Sequence, residues 1–189
     1  MKKIILMTTI SILSMAAMAQ EYSKECPNEK KCTPYNLYVT AKQANDMKNQ
    51  LGDNTLFVDV RSLEEINFVG TAKNVDAYIP YAELEPQNKI DDKKSSLILN
   101  PSGLFVEKMD YMLAAKQKTK ETPIILICRS GERSARAAEL LKKAGYSQVY
   151  SVSDGFEGDM SKENYRTVNG WKNSGLEWTY KIEKNKDFH

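Results

Sequence analysis

Histidine is almost missing from this sequence of 189 residues, since its one copy is His189 at the very end. A cysteine–histidine catalytic pair, in which an imidazole activates the thiol, is therefore excluded. A metal site is poorly supported for the same reason, because the imidazole is one of the commonest metal ligands. We expect neither a metal nor a cofactor.

An excess of charge of one sign is also lacking. The 27 lysines and arginines face 25 aspartates and glutamates, and two of the basic residues are Lys2 and Lys3 in an N-terminal leader. Without these two, 25 basic residues balance 25 acidic ones. A general binder of nucleic acid or of membrane surfaces needs a basic excess, so the sequence argues against both classes. The remaining chain, of about 170 residues, suffices for one domain with a sizeable core.

No apolar run is long enough for a membrane span. The longest, residues 4–13, is short and interrupted by hydroxyl side chains, and it follows a basic start at residues 2–3. Residues 17–19 then form an A-x-A cleavage site. These features predict a signal peptide over residues 1–19, cleaved after Ala19, and no cysteine is there to receive a lipid. We expect the mature protein to work in the periplasm.

Cysteine is scarce, with three copies at Cys26, Cys32 and Cys128. In an oxidising compartment the economical interpretation is a Cys26–Cys32 disulfide that leaves Cys128 as a free thiol. The alternative is that one of the two N-terminal cysteines acts as a resolving thiol for Cys128. The spacing alone does not choose between the two.

Cys128 lies at the centre of the most informative stretch, residues 123–145. The apolar run 124–127 is typical of a short strand buried on both faces, and an amphipathic helical pattern follows and ends at Gly145. Cys128 therefore stands at the carboxyl end of a buried strand, where α/β folds place their ligands.

The junction between this strand and this helix favours an anion. The first backbone N–H groups of a helix lack partners within it, and together with the helix dipole they stabilise a thiolate. Gly131 lets the chain curl around the sulfur, and Arg129 and Arg133 add donors suited to oxyanions. The alternative is that Cys128 is an inert buried cysteine that simply ends a strand.

The rest of the chain alternates strand and helix patterns, which predicts an α/β fold: one domain with a central parallel sheet and helices on both faces. The predicted strands lie at 55–60, 75–79, 124–127 and 148–152. The predicted helices lie at 40–51, 62–68, 105–113 and 135–144, and the first two begin with the capping boxes Thr40–Gln43 and Ser62–Glu65. The loop 83–103 is so long that it must be a lid or carry small elements of its own.

Two groups of charged residues have structural interpretations. Asp59 and Arg61 follow a predicted strand, and an ion pair that supports the fold is favoured over a catalytic role. The acidic residues Asp154, Glu157 and Asp159 lack the ligand spacing of a calcium loop, so a solvated turn is expected there.

Three segments together resemble the rhodanese family of sulfurtransferases, and in particular its exported single-domain members. They are VDVRSLEE at 58–65, CRSGERSARAA at 128–138 and SVSDGFEGD at 151–159. The resemblance spans about residues 38–178. It implies a rhodanese-like domain at 37–180. The polar residues 20–36, which include two prolines, predict an irregular N-terminal arm, and the basic residues after 180 predict a polar, solvated tail at 181–189.

The resemblance implies a function as well. Cys128 matches the nucleophile that takes up a sulfane sulfur as a persulfide, and the backbone amides of the following loop match the cradle that holds the transferred sulfur. These loop residues are Arg129, Ser130, Gly131, Glu132, Arg133 and Ser134. The expected partners are a small sulfur-containing anion or persulfide as donor, and a thiol or cyanide-like acceptor.

Two departures from the family pattern leave the substrate open. Gly70-Thr71-Ala72 stands where Gly-His-Ile is common, and Glu132 is expected to offset one loop arginine.

Two rival functions are considered for the same residues. A cysteine phosphatase has five residues between cysteine and arginine, whereas here four separate Cys128 from Arg133, and Ser134 occupies the place of the arginine. The second rival is a non-catalytic sulfur carrier, or a thiol-redox or binding module, with the same fold.

Overall fold

The computed structural model describes residues 25–87, 89–93, 95–183 and 186–188. The predicted signal peptide, 1–19, lies outside the described residues, as do residues 20–24 of the predicted arm.

Twelve strands and four α-helices make up the described part of the chain. The helices are α1 Ala41–Leu51, α2 Leu63–Val69, α3 Phe105–Ala115 and α4 Glu132–Lys143. The strands are β1 Tyr38–Val39, β2 Leu56–Asp59, β3 Thr71–Ala72, β4 Ala77–Tyr78, β5 Ala82–Leu84, β6 Ile90–Asp91, β7 Ser96–Leu97, β8 Leu99–Pro101, β9 Ile124–Ile127, β10 Val149–Val152, β11 Trp178–Thr179 and β12 Asp187–Phe188. None of these helices combines the length and the apolar character that crossing a membrane requires.

The central sheet has the strand order β1-β10-β9-β2-β4-β12, and every pairing in it is parallel. Strands β9, β2 and β10 are buried along their whole length, as expected where both faces of a parallel sheet are covered. The predicted α/β fold with a parallel sheet is confirmed.

Helices cover both faces of this sheet. On one face α1 and α2 bury an apolar side around Phe57, whose ring centroid lies 5.3 Å from that of Trp171. On the other face Met109 and Met112 of α3 and Leu141 of α4 pack on the sheet. The apolar stripes that the sequence pattern predicted are therefore the surfaces that meet the strands.

Both predicted capping boxes are present. The Gln43 N–H donates to Thr40 Oγ1 over 3.3 Å, and the Thr40 N–H donates to Gln43 Oε1 over 2.9 Å. In α2 the Glu65 N–H donates to Ser62 Oγ and the Ser62 N–H donates to Glu65 Oε2. Each box satisfies two backbone N–H groups that a helix start otherwise leaves without partners.

The long segment 83–103 contains short strands, which was one of the two alternatives predicted for it. Strand β5 pairs with β8 and β6 with β7, both antiparallel, so 82–101 folds back on itself as an extended hairpin. Its base is fixed to the central sheet, because the Tyr81 N–H donates to Val60 O over 3.0 Å and Tyr81 is buried edge-on against Phe105. We call residues 82–101 the hairpin.

The predicted polar tail, 181–189, is more than a solvated end. Within it β12 pairs with β4, so that Asp187 lies opposite Ala77, and Lys186 Nζ donates to Lys73 O. Strand β4 otherwise leaves a row of backbone N–H and C=O groups at the sheet edge, and β12 supplies their partners.

The N-terminal arm is tied to the domain. Cys26 and Cys32 form a disulfide, with their Cα atoms 5.1 Å apart. The 3-10 turn Glu29–Lys31 between them packs against α4, and the buried Lys31 Nζ lies 2.7 Å from Asp159 Oδ1. The arm therefore lies beside the start of α4.

The solvated turn expected at 154–159 is wrong for Asp154. This carboxylate is buried, and it accepts hydrogen bonds from the Ala41 N–H over 2.8 Å and from the Gly170 N–H over 3.2 Å. Asp154 thus joins the start of α1 to the backbone at Gly170. The spacing of residues in the sequence could not indicate this contact. Burial raises the pKa of Asp154, and these N–H groups partly offset that effect.

We expect Asp154→Ala to lower the free energy of unfolding by about 1–3 kcal/mol, since two buried N–H groups lose their acceptor. Urea unfolding followed by tryptophan fluorescence measures this. The matched control is Asp53→Ala, which removes an exposed carboxylate and should change stability by less than about 0.5 kcal/mol. Equal losses in the two variants would refute the bridging role of Asp154.

Candidate active site

Cys128 follows directly on β9, the strand paired on both sides at the middle of the sheet. Helix α4 begins four residues later at Glu132, with Gly131 as its N-cap at φ +98°. The cysteine therefore lies at the carboxyl edge of the sheet in front of a helix start, as the sequence predicted.

The sulfur of Cys128 has two polar neighbours. The Gly131 N–H donates to Sγ over 3.1 Å, and Sγ lies 3.5 Å from Ser134 Oγ. Ser134 is itself held by Gly131 O at 3.1 Å and by Ser151 Oγ at 2.8 Å. In the loop 128–134, all of it described, a single amide thus donates to the sulfur, where a ring of several was expected.

Burial of the sulfur is the second difference from expectation. Cys128 is 1 % exposed, and it belongs to the same apolar cluster as Leu126 and Ala137. If Cys128 were an inert cysteine, its sulfur would be buried and the neighbouring amide N–H groups would point away from it. Here the burial is present, but the Gly131 N–H points at Sγ.

Residues 153–158 hold the cysteine loop from the other side. The carbonyl of Cys128 accepts from the Phe156 N–H over 2.8 Å, and the carbonyl of Arg129 accepts from the N–H groups of Glu157 and Gly158. The two backbones are so close that a Cβ on Gly155 would lie 2.5 Å from Ser130 N. The segments 128–138 and 151–159, which are two of the three motifs that resemble the rhodanese family, therefore pack against each other.

Arg133 binds a carboxylate of the protein. Its guanidinium meets Glu65 with two bonds of 2.6 Å, in the paired geometry that is strongest for arginine and carboxylate. Burial acts to lower the pKa of Arg133, but the hydrogen bonds and the charge of Glu65 raise it well above its usual range. Two donors of Arg133 are therefore bound to Glu65, which the sequence did not predict, and a role of its other donors toward an oxyanion stays a prediction.

Glu65, rather than Glu132, offsets a loop arginine. The sequence predicted the capping box of Glu65 but not its contact with Arg133, because Glu65 and Arg133 are 68 residues apart in the chain. Burial acts to raise the pKa of Glu65, but the hydrogen bonds and the charge of Arg133 lower it below its ordinary value.

The other predicted loop residues lie around the mouth of the loop. Arg129 is exposed, while Ser130 and Glu132 are half-buried. Burial lowers the pKa of Arg166, and the positive charge of the nearby Arg129 lowers it further.

Asp59 and Arg61 form a buried ion pair, with Arg61 Nη2 2.6 Å from Asp59 Oδ2. The guanidinium also donates to Gly70 O over 2.8 Å and stacks 4.1 Å from the centre of the Phe156 ring. Although burial acts to lower the pKa of Arg61, Asp59 raises it. This pair supports the Phe156 segment, and through it the cysteine loop, which agrees with the structural interpretation.

A cleft of about 520 Å³ lies beside the loop. The start of α4 forms one side of it, the hairpin forms the other, and Lys30 of the arm stands at its edge. The hairpin is thus a wall of the candidate site.

Comparisons with known proteins agree with this geometry. A family model described as a rhodanese-like domain matches residues 40–162. The uncharacterized protein RP600 of Rickettsia prowazekii (strain Madrid E) is 32 % identical over 130 residues, which cover 69 % of this chain and 87 % of RP600. The thiosulfate sulfurtransferase GlpE of Tolumonas auensis is 46 % identical over 43 residues, 23 % of this chain and 41 % of GlpE. The crystal structure of Rv0390 from M. tuberculosis matches with a TM-score of 0.58 at 29 % identity, covering 76 % of this chain and 97 % of that one.

We expect Gly131→Ala to destabilise the protein more than Gly145→Ala. Both glycines have a positive φ near +90°, so both variants carry the backbone strain of about 1–2 kcal/mol. Only at Gly131 would the new Cβ meet the backbone, 2.3 Å from Ser153 O, whereas nothing lies within 4 Å at Gly145. Chemical unfolding compares the two, and equal losses would show that the loop is not braced by residue 153.

A second prediction concerns the Glu65–Arg133 pair. Because the pKa of Glu65 is lowered on folding, its carboxylate stabilises the protein above its ordinary pKa of 4.5, and this contribution is lost as the pH falls through the lower folded value. Glu65→Gln should therefore cost about 1–3 kcal/mol near neutral pH, and the difference from the wild type should shrink below about pH 4.5.

Urea unfolding at a series of pH values tests this prediction. Glu139→Gln is the control, since it removes one partner of the exposed pair with Lys143 and should have no measurable effect. A difference for Glu65→Gln that stays constant with pH would contradict the assignment.

Proposed function

This chain belongs to the rhodanese-like domain family, and on that basis we propose that it transfers a sulfane sulfur through a persulfide on Cys128. The observation that carries the proposal is the 3.1 Å contact of the Gly131 N–H with Cys128 Sγ at the junction of β9 and α4. Thiosulfate sulfurtransferases among the relatives, such as GlpE, support the reaction class.

The reaction needs no base from a histidine. The Cys128 thiolate attacks the outer sulfur of the donor, a new S–S bond forms, and the former bond of that sulfur breaks with its electron pair on the leaving group. The Gly131 N–H donates to the sulfur and is the group that would stabilise negative charge on it. An acceptor thiolate or cyanide then removes the outer sulfur and restores the Cys128 thiolate.

The loop has to open for this chemistry. Cys128 is 1 % exposed, so the donor sulfur reaches Sγ only if the loop around Arg129 and Ser130 moves outward. Arg129 is the loop residue whose side chain is exposed, and Ser130 beside it is half-buried, so we propose that the donor enters at this part of the loop.

We further propose that the protein acts in the periplasm. The signal-like residues 1–19 are one support. The other is the Cys26–Cys32 disulfide, because such bonds persist in oxidising compartments.

The burial of Cys128 favours one alternative, a protein that carries sulfur or exchanges thiols without rapid turnover. Both functions load a sulfur on Cys128. They differ in whether the loaded protein passes the sulfur on to an acceptor repeatedly.

We expect Cys128→Ser to abolish sulfur transfer from thiosulfate to cyanide, whereas the wild type turns over. Intact-mass spectrometry after incubation with thiosulfate should show one added sulfur on the wild type and none on the variant. Added sulfur without turnover would select the carrier function. Equal activity of the two proteins would overturn the assignment of Cys128 as the nucleophile.

A further inference from the structure

We infer that the disulfide-closed part of the arm, residues 26–32, is a redox-sensitive brace that restrains the opening of the cysteine loop. We call these residues the disulfide ring. Lys31 is the positioning residue through which the disulfide ring acts, and reduction of the Cys26–Cys32 bond releases it. The inference concerns the loop opening that the proposed transfer requires, but its first readout, the chemical reactivity of Cys128, does not depend on transfer.

The disulfide ring lies beside the mouth of the cysteine loop. It precedes the part of the chain that the family model matches, 40–162, so it is an addition to the common domain. Its residues 28–31 line a pocket together with Glu132 and Asp159. Glu132 is the first residue of α4, and Asp159 directly follows the segment 153–158 that holds the cysteine loop. The disulfide ring therefore faces both segments that meet at this mouth.

Lys31 connects the disulfide ring to Asp159. The lysine is 5 % exposed, and its Nζ lies 2.7 Å from Asp159 Oδ1. Asp159 is held from the other side as well, since its N–H donates to Asn169 Oδ1 over 2.8 Å and Asn169 Nδ2 donates to Asp159 Oδ2 over 3.1 Å. Because a buried ammonium group is stable only with a partner, the positions of Lys31 and Asp159 depend on each other.

Asp159 in turn is next to the residues that hold the cysteine loop. The N–H groups of Glu157 and Gly158 donate to Arg129 O over 3.0 Å and 3.2 Å. An outward movement of Arg129 either breaks these two bonds or takes the segment before Asp159 with it. The second, less costly route is opposed while Lys31 holds Asp159. The ion pair therefore raises the free energy that opening of the loop requires.

The disulfide bond keeps Lys31 in place. Within the disulfide ring the chain forms one 3-10 turn of three residues, in which Asn28 Oδ1 accepts from the Lys30 N–H over 3.0 Å. So short a turn is marginal without a covalent closure that limits its other conformations. The rest of the arm has a separate anchor, since Tyr35 Oη donates to Tyr146 O beyond the far end of α4. Reduction therefore loosens Lys31 without detaching the whole arm.

The disulfide is accessible to a reductant. Cys32 is exposed and Cys26 is half-buried, so the reductant, a dithiol, attacks at Cys32. One thiolate of the dithiol bonds to Cys32 Sγ, the Cys26–Cys32 bond breaks, and Cys26 leaves as a thiolate that takes up a proton. The second thiolate of the dithiol then displaces Cys32 from the mixed disulfide. Two electrons pass to the protein, and the dithiol becomes a disulfide.

The test measures how fast iodoacetamide modifies Cys128, followed by mass spectrometry of the peptide that contains it. Three forms are compared: the oxidised protein, the protein reduced with dithiothreitol and freed of it without air, and the variant Cys26→Ser/Cys32→Ser. We expect Cys128 to react about fivefold faster in both opened forms, the factor that corresponds to one partly exposed ion pair. Equal rates in all three forms would overturn the inference.

Lys31→Met separates the ion pair from the disulfide, because it keeps the disulfide and a buried unbranched side chain but removes the charge. Cys128 of this variant should react about fivefold faster while oxidised, and reduction should add little more. Glu29→Gln is the matched control, since it removes an exposed charge from the same turn and should react and respond to reduction as the wild type does. A full response to reduction in Lys31→Met would contradict the role of Lys31.

Hydrogen exchange locates the change. On reduction the amides of 128–134 and 156–159 should exchange faster, whereas those of α3, on the other side of the hairpin base, should not change. Equally faster exchange in α3 would indicate general destabilisation and would also overturn the inference. If Cys128 never accepts a sulfur, the proposed transfer fails, while the alkylation and exchange rates still decide whether the disulfide ring restrains the loop.

Discussion

The backbone contact between the cysteine loop and residues 153–158 is the constraint on which the candidate site depends. Three N–H groups, those of Phe156, Glu157 and Gly158, donate to the carbonyls of Cys128 and Arg129. These bonds fix the loop on residues 156–158, and within the loop the Gly131 N–H donates to Sγ. The close approach requires that residues 131 and 155 lack a Cβ.

Buried charge supports this arrangement at two levels. The Asp59–Arg61 pair lies beneath the Phe156 ring, and the Glu65–Arg133 pair ties α2 to α4 beside the loop. Burying a charge is costly unless a partner and hydrogen bonds compensate. Both pairs have short, multiple contacts, although Arg61 Nη1 is buried without a hydrogen-bond partner among the described residues. One consequence is chemical. Because Arg133 is paired with Glu65, the exposed positive charge at the cleft comes from Lys30, Arg129 and Arg136.

The hairpin changes the site that the sheet alone would form. A cysteine loop at the carboxyl edge of a parallel sheet is open to solvent on one side unless another segment covers it. Here the hairpin follows β4, is bonded to Val60 after β2 through Tyr81 and faces the start of α4, while Lys30 of the disulfide-closed arm lies at the rim. The fold common to the family provides the loop that begins with Cys128, and these additions shape the space beside it.

The local features were determined by the sequence alone: the buried strand 124–127, the helix after Gly131, the capping boxes and the place of Cys128 between strand and helix. Each of them depends on residues within a few positions of one another, so propensity and periodicity are sufficient to predict them. Only the tertiary structure decided that Glu65 pairs with Arg133, that Asp154 is buried under α1 and that β12 joins the sheet. The partners in these contacts are far apart in the chain. The path of the backbone, rather than any local pattern, determines which carboxylate or strand edge meets which partner. The burial of the Cys128 sulfur has the same origin, because segments from distant parts of the sequence close around it.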